Sequence, residues 1–314
     1  MIEIRDISKS YGDIPALKSL SLNIKKGEFY SLLGPNGAGK TTTINLLGGL
    51  MHPDSGEIII NGINLKSQAK EVKSQIGIVP QEIALYDELT AIENLYFWAK
   101  VNRVSTKGLN AKIEEILDFL GLANRAKQKI SQYSGGMKRR INIAAALLHN
   151  PAILFFDEPT VGIDPQSRSF IYSIFKQLSQ QGKTILYTSH YLEEAEKLSD
   201  RIGIIDYGKL ITEGTFEELR KQSGLKETIN ISFQKIDKDV FSELKKSSLM
   251  KNSLVSGGSL DTHKCVFIVE NRSENLHQIV ELFAKHKVKI QQIEIKAVDL
   301  EKVYLSFTKN DLRD

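Results

Sequence analysis

The sequence predicts an α/β fold: a sheet with flanking helices, interrupted by a helical insertion and followed by a smaller α/β unit. Three observations carry this. Continuous apolar runs at 29–33 and 153–156 have the pattern of strands covered on both faces. A glycine-rich loop, 34–42, sits between the first run and a helical stretch. A polar break at 222–226 precedes a second alternation of strand and helix patterns.

The elements follow in order. Leu20, Leu22 and Ile24 alternate with polar residues, which predicts a strand with one buried face. The run 29–33 predicts a buried strand, and a helix over 40–50 follows the loop. Gly56 opens a strand near 58–60, and 76–79 reads as another buried strand. From Gln81 to Tyr133 helical periodicity dominates. Ile113, Ile116, Leu117 and Leu120 share one face, and Gly121 is placed to cap that helix. The helical insertion spans about 82–150, between two strands of one sheet. Strands resume at 153–156, 184–187 and 201–205, and 206–209 turns into a last strand near 210–213. This first domain is expected to cover 1–221. Within 222–314, Ile229, Ile231 and Phe233 alternate, and Leu276, Ile279, Val280 and Phe283 share a helical face. Ile293 and Ile295 alternate, and Leu300, Val303, Tyr304 and Phe307 fit a final helix. Nothing in this smaller unit resembles a reactive site, so it reads as an interaction or dimer-bracing module.

Composition narrows the classes. A chain of 314 residues has room for about two domains at ~150 residues each. With 41% hydrophobic and 25% charged residues it is an ordinary globular chain, not a disordered one. The net charge of +4 is spread over both parts, so no basic domain points to nucleic acid. The single cysteine, Cys265, excludes an internal disulfide and a Cys-based zinc site, and its apolar neighbours make it a core residue. No signal segment opens the chain, and no run approaches the ~18 apolar residues of a membrane span. The expectation is a cytoplasmic chain whose membrane partner, if it has one, supplies the span.

The chemistry-bearing residues stand at strand ends. Gly34-Pro35-Asn36-Gly37-Ala38-Gly39-Lys40-Thr41 fits G-x-x-x-x-G-K-[ST], with Thr42 following. Glycines let the backbone wrap a phosphate chain, and the N–H groups of the following helix N-terminus point at the anion. Lys40 would reach the β and γ phosphates, and the Thr41 hydroxyl could ligate Mg²⁺. The run 153–156 delivers Asp157 and Glu158 to a strand tip, where open α/β sheets bind ligands. Asp157 would hold Mg²⁺, and Glu158 is the candidate general base. Alone, such a pair could equally be a solvated acidic strand end; beside the phosphate loop the catalytic reading prevails. His190 follows the strand 184–187 and could hydrogen-bond the γ phosphate, although a lone histidine is more often a surface residue.

With these residues in this order, the chain resembles the nucleotide-binding subunit of an ATP-binding cassette (ABC) transporter, over about residues 1–220. Tyr11 matches the aromatic that stacks on adenine, and 34–42 the Walker A loop. Gln81 matches the Q-loop glutamine, which touches Mg²⁺ or water and faces the membrane partner. Tyr133-Ser134-Gly135-Gly136-Met137 matches the signature sequence, and Asp157 and Glu158 the Walker B acid and catalytic glutamate. Gly162-Ile163-Asp164-Pro165 matches the D-loop, and His190 the switch histidine. The resemblance implies a cassette with a mixed sheet, an antiparallel β-subdomain and a helical insertion. It implies ATP and Mg²⁺ as ligands, with Thr41, Gln81 and Asp157 on the metal. It also implies head-to-tail dimerisation, in which Ser134, Gly135 and Gly136 of one subunit close over ATP held by the other. The partners implied are an integral membrane permease and a second ATPase subunit, identical or paralogous, at the cytoplasmic face of the membrane.

Tyr133 and Met137 depart from the common Leu and Gln of the signature. This form, and the tail 298–305, resemble the branch that exports drugs, antibiotics, lipids or polysaccharides through separate permeases. An importer subunit shares every catalytic motif and stays as the alternative. A soluble ABC ATPase is disfavoured because the chain has one cassette and no heptad array. Candidate permease contacts are Tyr86, beside Asp87 and Glu88, and the apolar cluster Leu95-Tyr96-Phe97-Trp98; core packing is the alternative for the cluster and the preferred reading for Trp98, which leaves Tyr86 as the better surface candidate.

Overall fold

The computed structural model describes residues 2–234, 253–257, 262–269 and 272–308. Strands β1 (Ile2–Tyr11) and β2 (Ile14–Ile24) form an antiparallel pair, and β3 (Phe29–Leu33) is buried at every residue. Helix α1 (Lys40–Leu47) follows the glycine-rich loop. It stops before Gly48 and Gly49, shorter than the expected 40–50, because consecutive glycines disfavour a further turn. Then come β4 (Ser55–Ile60), β5 (Ile63–Asn64), α2 (Ala69–Lys73) and β6 (Ile76–Val79). The helical region carries α3 (Ala91–Val101), α4 (Leu109–Phe119) and α5 (Gly135–Leu147). Thr90 and Glu93 form a reciprocal capping box that starts α3. Strand β7 (Ile153–Asp157), α6 (Pro165–Gln180), β8 (Thr184–Ser189), α7 (Leu192–Leu198), β9 (Arg201–Asp206), β10 (Lys209–Gly214) and α8 (Phe216–Ser223) complete this part.

The central sheet has the order β10-β9-β3-β8-β7-β6. It is mixed: β10 runs antiparallel to β9, and the other neighbours are parallel. A separate antiparallel sheet has the order β2-β1-β4-β5. Successive side chains of the buried strands feed two cores, as the period of two requires. Phe29, Leu154, Phe156 and Tyr187 pack with residues of α5 and α6, while Tyr30, Leu32, Phe155 and Leu186 pack with α1 and the antiparallel sheet.

The chain divides into two compact units, Met1–Leu219 with Phe307–Asp314, and Arg220–Ser306. In the second, β11 (Glu227–Gln234), β12 (Ser253–Gly257), β13 (Thr262–Val269), α9 (Arg272–Lys285), β14 (Ile290–Lys296) and α10 (Leu300–Thr308) follow in sequence. The strand order is β12-β13-β11-β14, all antiparallel. Ile279 and Phe283 of α9 pack on Ile229, Ile231, Phe233 and the buried Cys265. Val280, expected on that face, is 37% exposed, because one helix covers the sheet along a narrower stripe than the pattern suggested.

The aromatic cluster of α3 also divides. Leu95 is fully buried and Trp98 is half-buried, with Nε1 donating to the Ala84 carbonyl at 3.1 Å. Tyr96 and Phe97 are exposed, so the cluster is split between core and surface. Phe175 of α6 is an aromatic joint of the first core, with its ring 4.5 Å from Phe156 and 5.7 Å from Tyr187. Phe175→Ala should cost about 3–5 kcal/mol of stability, measured as a lower denaturation midpoint in urea.

Candidate functional site

Strands β3, β8 and β7 are parallel neighbours, so their C-terminal ends share one edge of the sheet. β3 runs into the glycine-rich loop, β7 ends at Asp157, and His190 follows β8. A cavity of about 490 Å³ opens at this edge, lined among others by Tyr11, Asn36, Gly37, Gly39, Lys40, Thr41, Thr42, Gln81 and Glu158. A larger cleft of about 910 Å³ and a smaller one of about 400 Å³ lie elsewhere, and neither is lined by Asp157 or Glu158.

The loop geometry suits an anion. Gly39 has φ 109, and a Cβ there would meet Leu17 at 2.6 Å and the Ala16 carbonyl at 2.8 Å. Only glycine fits. Helix α1 starts at Lys40 with no side-chain cap and no acidic residue in its first turn. Its N-terminal N–H groups and positive dipole end are therefore available to a phosphate.

Lys40 is only 4% exposed. Its Nζ donates to the carbonyls of Gly34 at 2.7 Å and Pro35 at 3.1 Å, and pairs with Glu158 Oε1 at 3.0 Å. His190 donates Nδ1–H to the other Glu158 oxygen at 3.2 Å. One carboxylate thus links the amine of the loop to the imidazole of the next strand. Glu158 has φ 42, a left-handed conformation that a non-glycine residue adopts at a cost. Its N–H donates to the carbonyl and Oγ1 of Thr188, and Thr188 Oγ1 donates to Asp157 Oδ1 at 2.7 Å. Burial pushes the Asp157 carboxyl pKa up, while hydrogen bonds from Thr188 and Thr41 pull it down. A cation beside it would offset the cost of that buried charge. Among the described residues no cluster of three or more His, Cys, Asp or Glu forms a metal cage. The donors at hand are Thr41, Gln81 and Asp157, an oxygen set that suits a hard divalent cation whose remaining ligands come from phosphate and water.

Tyr11 is half exposed at the mouth, with its hydroxyl 3.5 Å from Thr42 Oγ1. Ser134, Gly135, Gly136 and Asp164 do not line this cavity. Ser134 caps α5 by accepting from Met137 N at 3.3 Å, and Gly135 has open space beside it. A Cβ on Gly136 would come within 2.4 Å of Ser167 Cβ, so that glycine answers a packing demand. Asp164 caps α6 by accepting from Ser167 N at 2.9 Å, and that bond lowers its pKa.

Sequence reasoning missed three side chains. Thr188 joins Glu158 to Asp157, as described. Arg139 is 4% exposed and donates to the carbonyls of Pro80 at 2.6 Å and Gln81 at 2.5 Å. It lies in the basic run after the signature, which gave no sign that one member turns inward. Glu194, 3% exposed, collects hydroxyl groups beneath His190. No motif marks it.

A lysine held by carbonyls and one carboxylate, at an uncapped helix start, belongs to a P-loop nucleotide hydrolase, and the sheet order with its helical insertion makes that hydrolase an ABC cassette. The ABC transporter family pattern matches residues 17–161. Over 100% of both chains the protein is 42% identical to the linearmycin resistance ATP-binding protein LnrL of Bacillus subtilis (strain 168). It is 44% identical to the Nod factor export ATP-binding protein I of Burkholderia orbicola (strain AU 1054), over 68% of this chain and 70% of that one. The dimeric structure of the ATP-binding cassette MJ0796, in a post-hydrolysis state bound to ADP and Pi, superposes with a TM-score of 0.63 at 33% identity, covering 68% of this chain and 98% of that chain. The chain belongs to the ABC transporter family, as an ATP-binding and ATP-hydrolysing subunit of its exporter branch.

The Lys40–Glu158 pair is buried, so its members should depend on each other. Lys40→Met alone should lower the melting temperature by leaving Glu158 unpaired. Adding Glu158→Gln should recover part of the loss, with a coupling of about 1–3 kcal/mol in a double-mutant cycle followed by denaturant unfolding.

Proposed function

We propose that two copies of this chain, or this chain and a paralogous cassette, clamp two Mg-ATP molecules and drive a separate permease that exports a drug-like compound. The observation that carries the reading is the Lys40–Glu158–His190 line at the glycine-rich loop. In this reading the β and γ phosphates of ATP take over Lys40, and the loop N–H groups hold their oxygens. Glu158, freed from the amine, polarises the attacking water, and His190 hydrogen-bonds the γ phosphate. Tyr11 lies against the adenine. Thr41, Gln81 and Asp157 would hold Mg²⁺, which supplies charge neutralisation across the β and γ phosphates.

Dimerisation is supported by the placement of the signature. Ser134 to Gly136 lie at a helix N-terminus outside the cavity of their own chain, and Gly135 faces open space. They and Asp164 are therefore assigned to ATP held by the partner subunit. The permease is assigned to a cleft of about 400 Å³ beside Gln81, lined by Ile76, Ile78, Pro80, Ala84 and Trp98. Tyr86 beyond it is 50% exposed, its ring 4.8 Å from Phe97. Among the described residues no helix is long and apolar enough to cross a membrane, which fits a peripheral subunit at the cytoplasmic face. The unit 222–314 is read as an accessory domain that braces the dimer. Resemblance to the linearmycin resistance protein extends through it, which supports a drug-type cargo.

Glu158→Gln should keep ATP binding and lower kcat by about 10²–10⁴-fold. With Mg-ATP, size-exclusion chromatography should show a stable dimer; a strict monomer at high concentration counts against the clamp. Charge reversal at Asp87 and Glu88 should leave basal ATPase activity in place and reduce permease-coupled transport in vesicles. Transport at the unmodified rate would remove this surface from the permease contact.

A further inference from the structure

We infer that Glu194 is a positioning residue for ATP hydrolysis: its buried carboxylate holds, through hydroxyl groups, both the loop after Glu158 and the turn that carries His190. This rests on the roles proposed above for Glu158 and His190.

Glu194 is on α7, four residues after His190, and it is 3% exposed. Hydroxyls from three directions converge on it. Thr160 Oγ1 lies 3.0 Å from both carboxylate oxygens, and Ser189 Oγ donates to Oε2 at 3.0 Å. Tyr172 of α6 donates to Oε1 at 2.5 Å, and Tyr187 of β8 donates to Oε2. Burial and the adjoining carboxylate push both phenol pKa values up, so both phenols stay protonated donors. Arg168 adds a cation 4.0 Å away, with its guanidinium 5.0 Å over the Tyr191 ring.

Position gives this network its meaning. Thr160 is two residues beyond Glu158, and Ser189 immediately precedes His190. Ser189 Oγ also accepts from Tyr191 N at 2.9 Å, so both neighbours of His190 are tied to one hub. The His190–Glu158 bond of 3.2 Å spans two loops; Thr188 ties them on the near side of that bond, and Glu194 ties them on the far side, through Thr160 and Ser189. Tyr172 adds the helix that follows the D-loop. A buried carboxylate is a costly way to stabilise a core, and a well-packed apolar side chain does so at less cost. A single acceptor that must satisfy several donors from separate elements instead fixes their mutual geometry. The strained backbone at Glu158 needs such an external restraint.

Single-turnover and steady-state ATPase assays on the full chain test this. Glu194→Gln should lower kcat by about 10- to 100-fold, with the KM for ATP and nucleotide affinity within about 2-fold of the unmodified chain. Thr160→Val, which keeps the shape but removes a donor, should lower kcat in the same way, and Thr160→Ser should restore it. On a His190→Ala background Glu194→Gln should add little, because both act on one contact. A lower melting temperature with unchanged kcat per folded molecule, or full additivity with His190→Ala, would overturn the inference. If Glu194→Gln does not fold, the Thr160 pair and Ser189→Ala decide it by the same criteria. Glu158→Gln separates the two levels. Hydrolysis surviving in that variant defeats the catalytic reading itself. Its loss, alongside Glu194 and Thr160 variants with unmodified kcat, defeats only the positioning role.

Discussion

The fold is organised around bringing three buried ionisable groups to one point. Lys40, Asp157 and Glu158 are each under a tenth exposed, and charge can be placed that deep only where partners surround it. They come from two strand ends, β3 and β7, and the sheet order puts β8 between those strands. β8 therefore supplies the mortar. Thr188 bridges the backbone of Glu158 and the carboxylate of Asp157, and the residues after it turn His190 onto Glu158. Parallel strands make this possible, because all three present the same end to the same edge. Full burial on both faces is what keeps the edge registered: a shift of one residue would carry a core side chain such as Phe156 to the opposite layer.

The Lys40–Glu158 pair then has a physical consequence. The amine is satisfied by two carbonyls and one carboxylate, and the carboxylate by an amine and an imidazole. Phosphate is the stronger partner for the amine, since it carries more charge and arrives where the helix dipole already points. On the reading proposed above, nucleotide binding would compete for Lys40 and release Glu158 on the same side of the sheet. In the proposed mechanism the same ion pair that balances the buried charges would give way to the substrate, so the carboxylate assigned as base would become available in the step that brings the water's target.

Much of this was legible in the sequence where a strand is buried on both faces. The runs that became β3, β7 and β8 have apolar centres; β7 ends in Asp157, β3 runs into the loop that carries Lys40, and His190 follows β8. β1 escaped because its period breaks: Ile2 and Ile4 alternate, but Asp6 at φ 49 shifts the register before Ile7. The pattern for α6 is also present in the sequence, in Ile171, Ile174, Phe175 and Leu178 behind an Asp-Pro start. Arg139 and Glu194 are a different matter. Pattern reasoning sends charged residues to the surface, and only the folded chain shows which carbonyls or hydroxyls surround them. Gly136 was readable as part of a ligand motif, yet its lack of a side chain is required by Ser167.

Arg139 bears on how motion leaves the site. Its guanidinium holds the carbonyls of Pro80 and Gln81 from α5, the same helix whose N-terminus carries Ser134 and Gly135. Charge-assisted bonds of this kind are worth about 1.5–3 kcal/mol each, and both acceptors stand on one short loop. A displacement of α5 against β6 must therefore either drag the Gln81 loop with it or break both bonds together. Intermediate positions are disfavoured because a planar fork cannot follow two carbonyls that move apart. The Gln81 loop, which lines the cavity, and the helix that begins at the signature are thus joined by two bonds from a single guanidinium, a contiguous physical link of the kind that coupling between two sites requires.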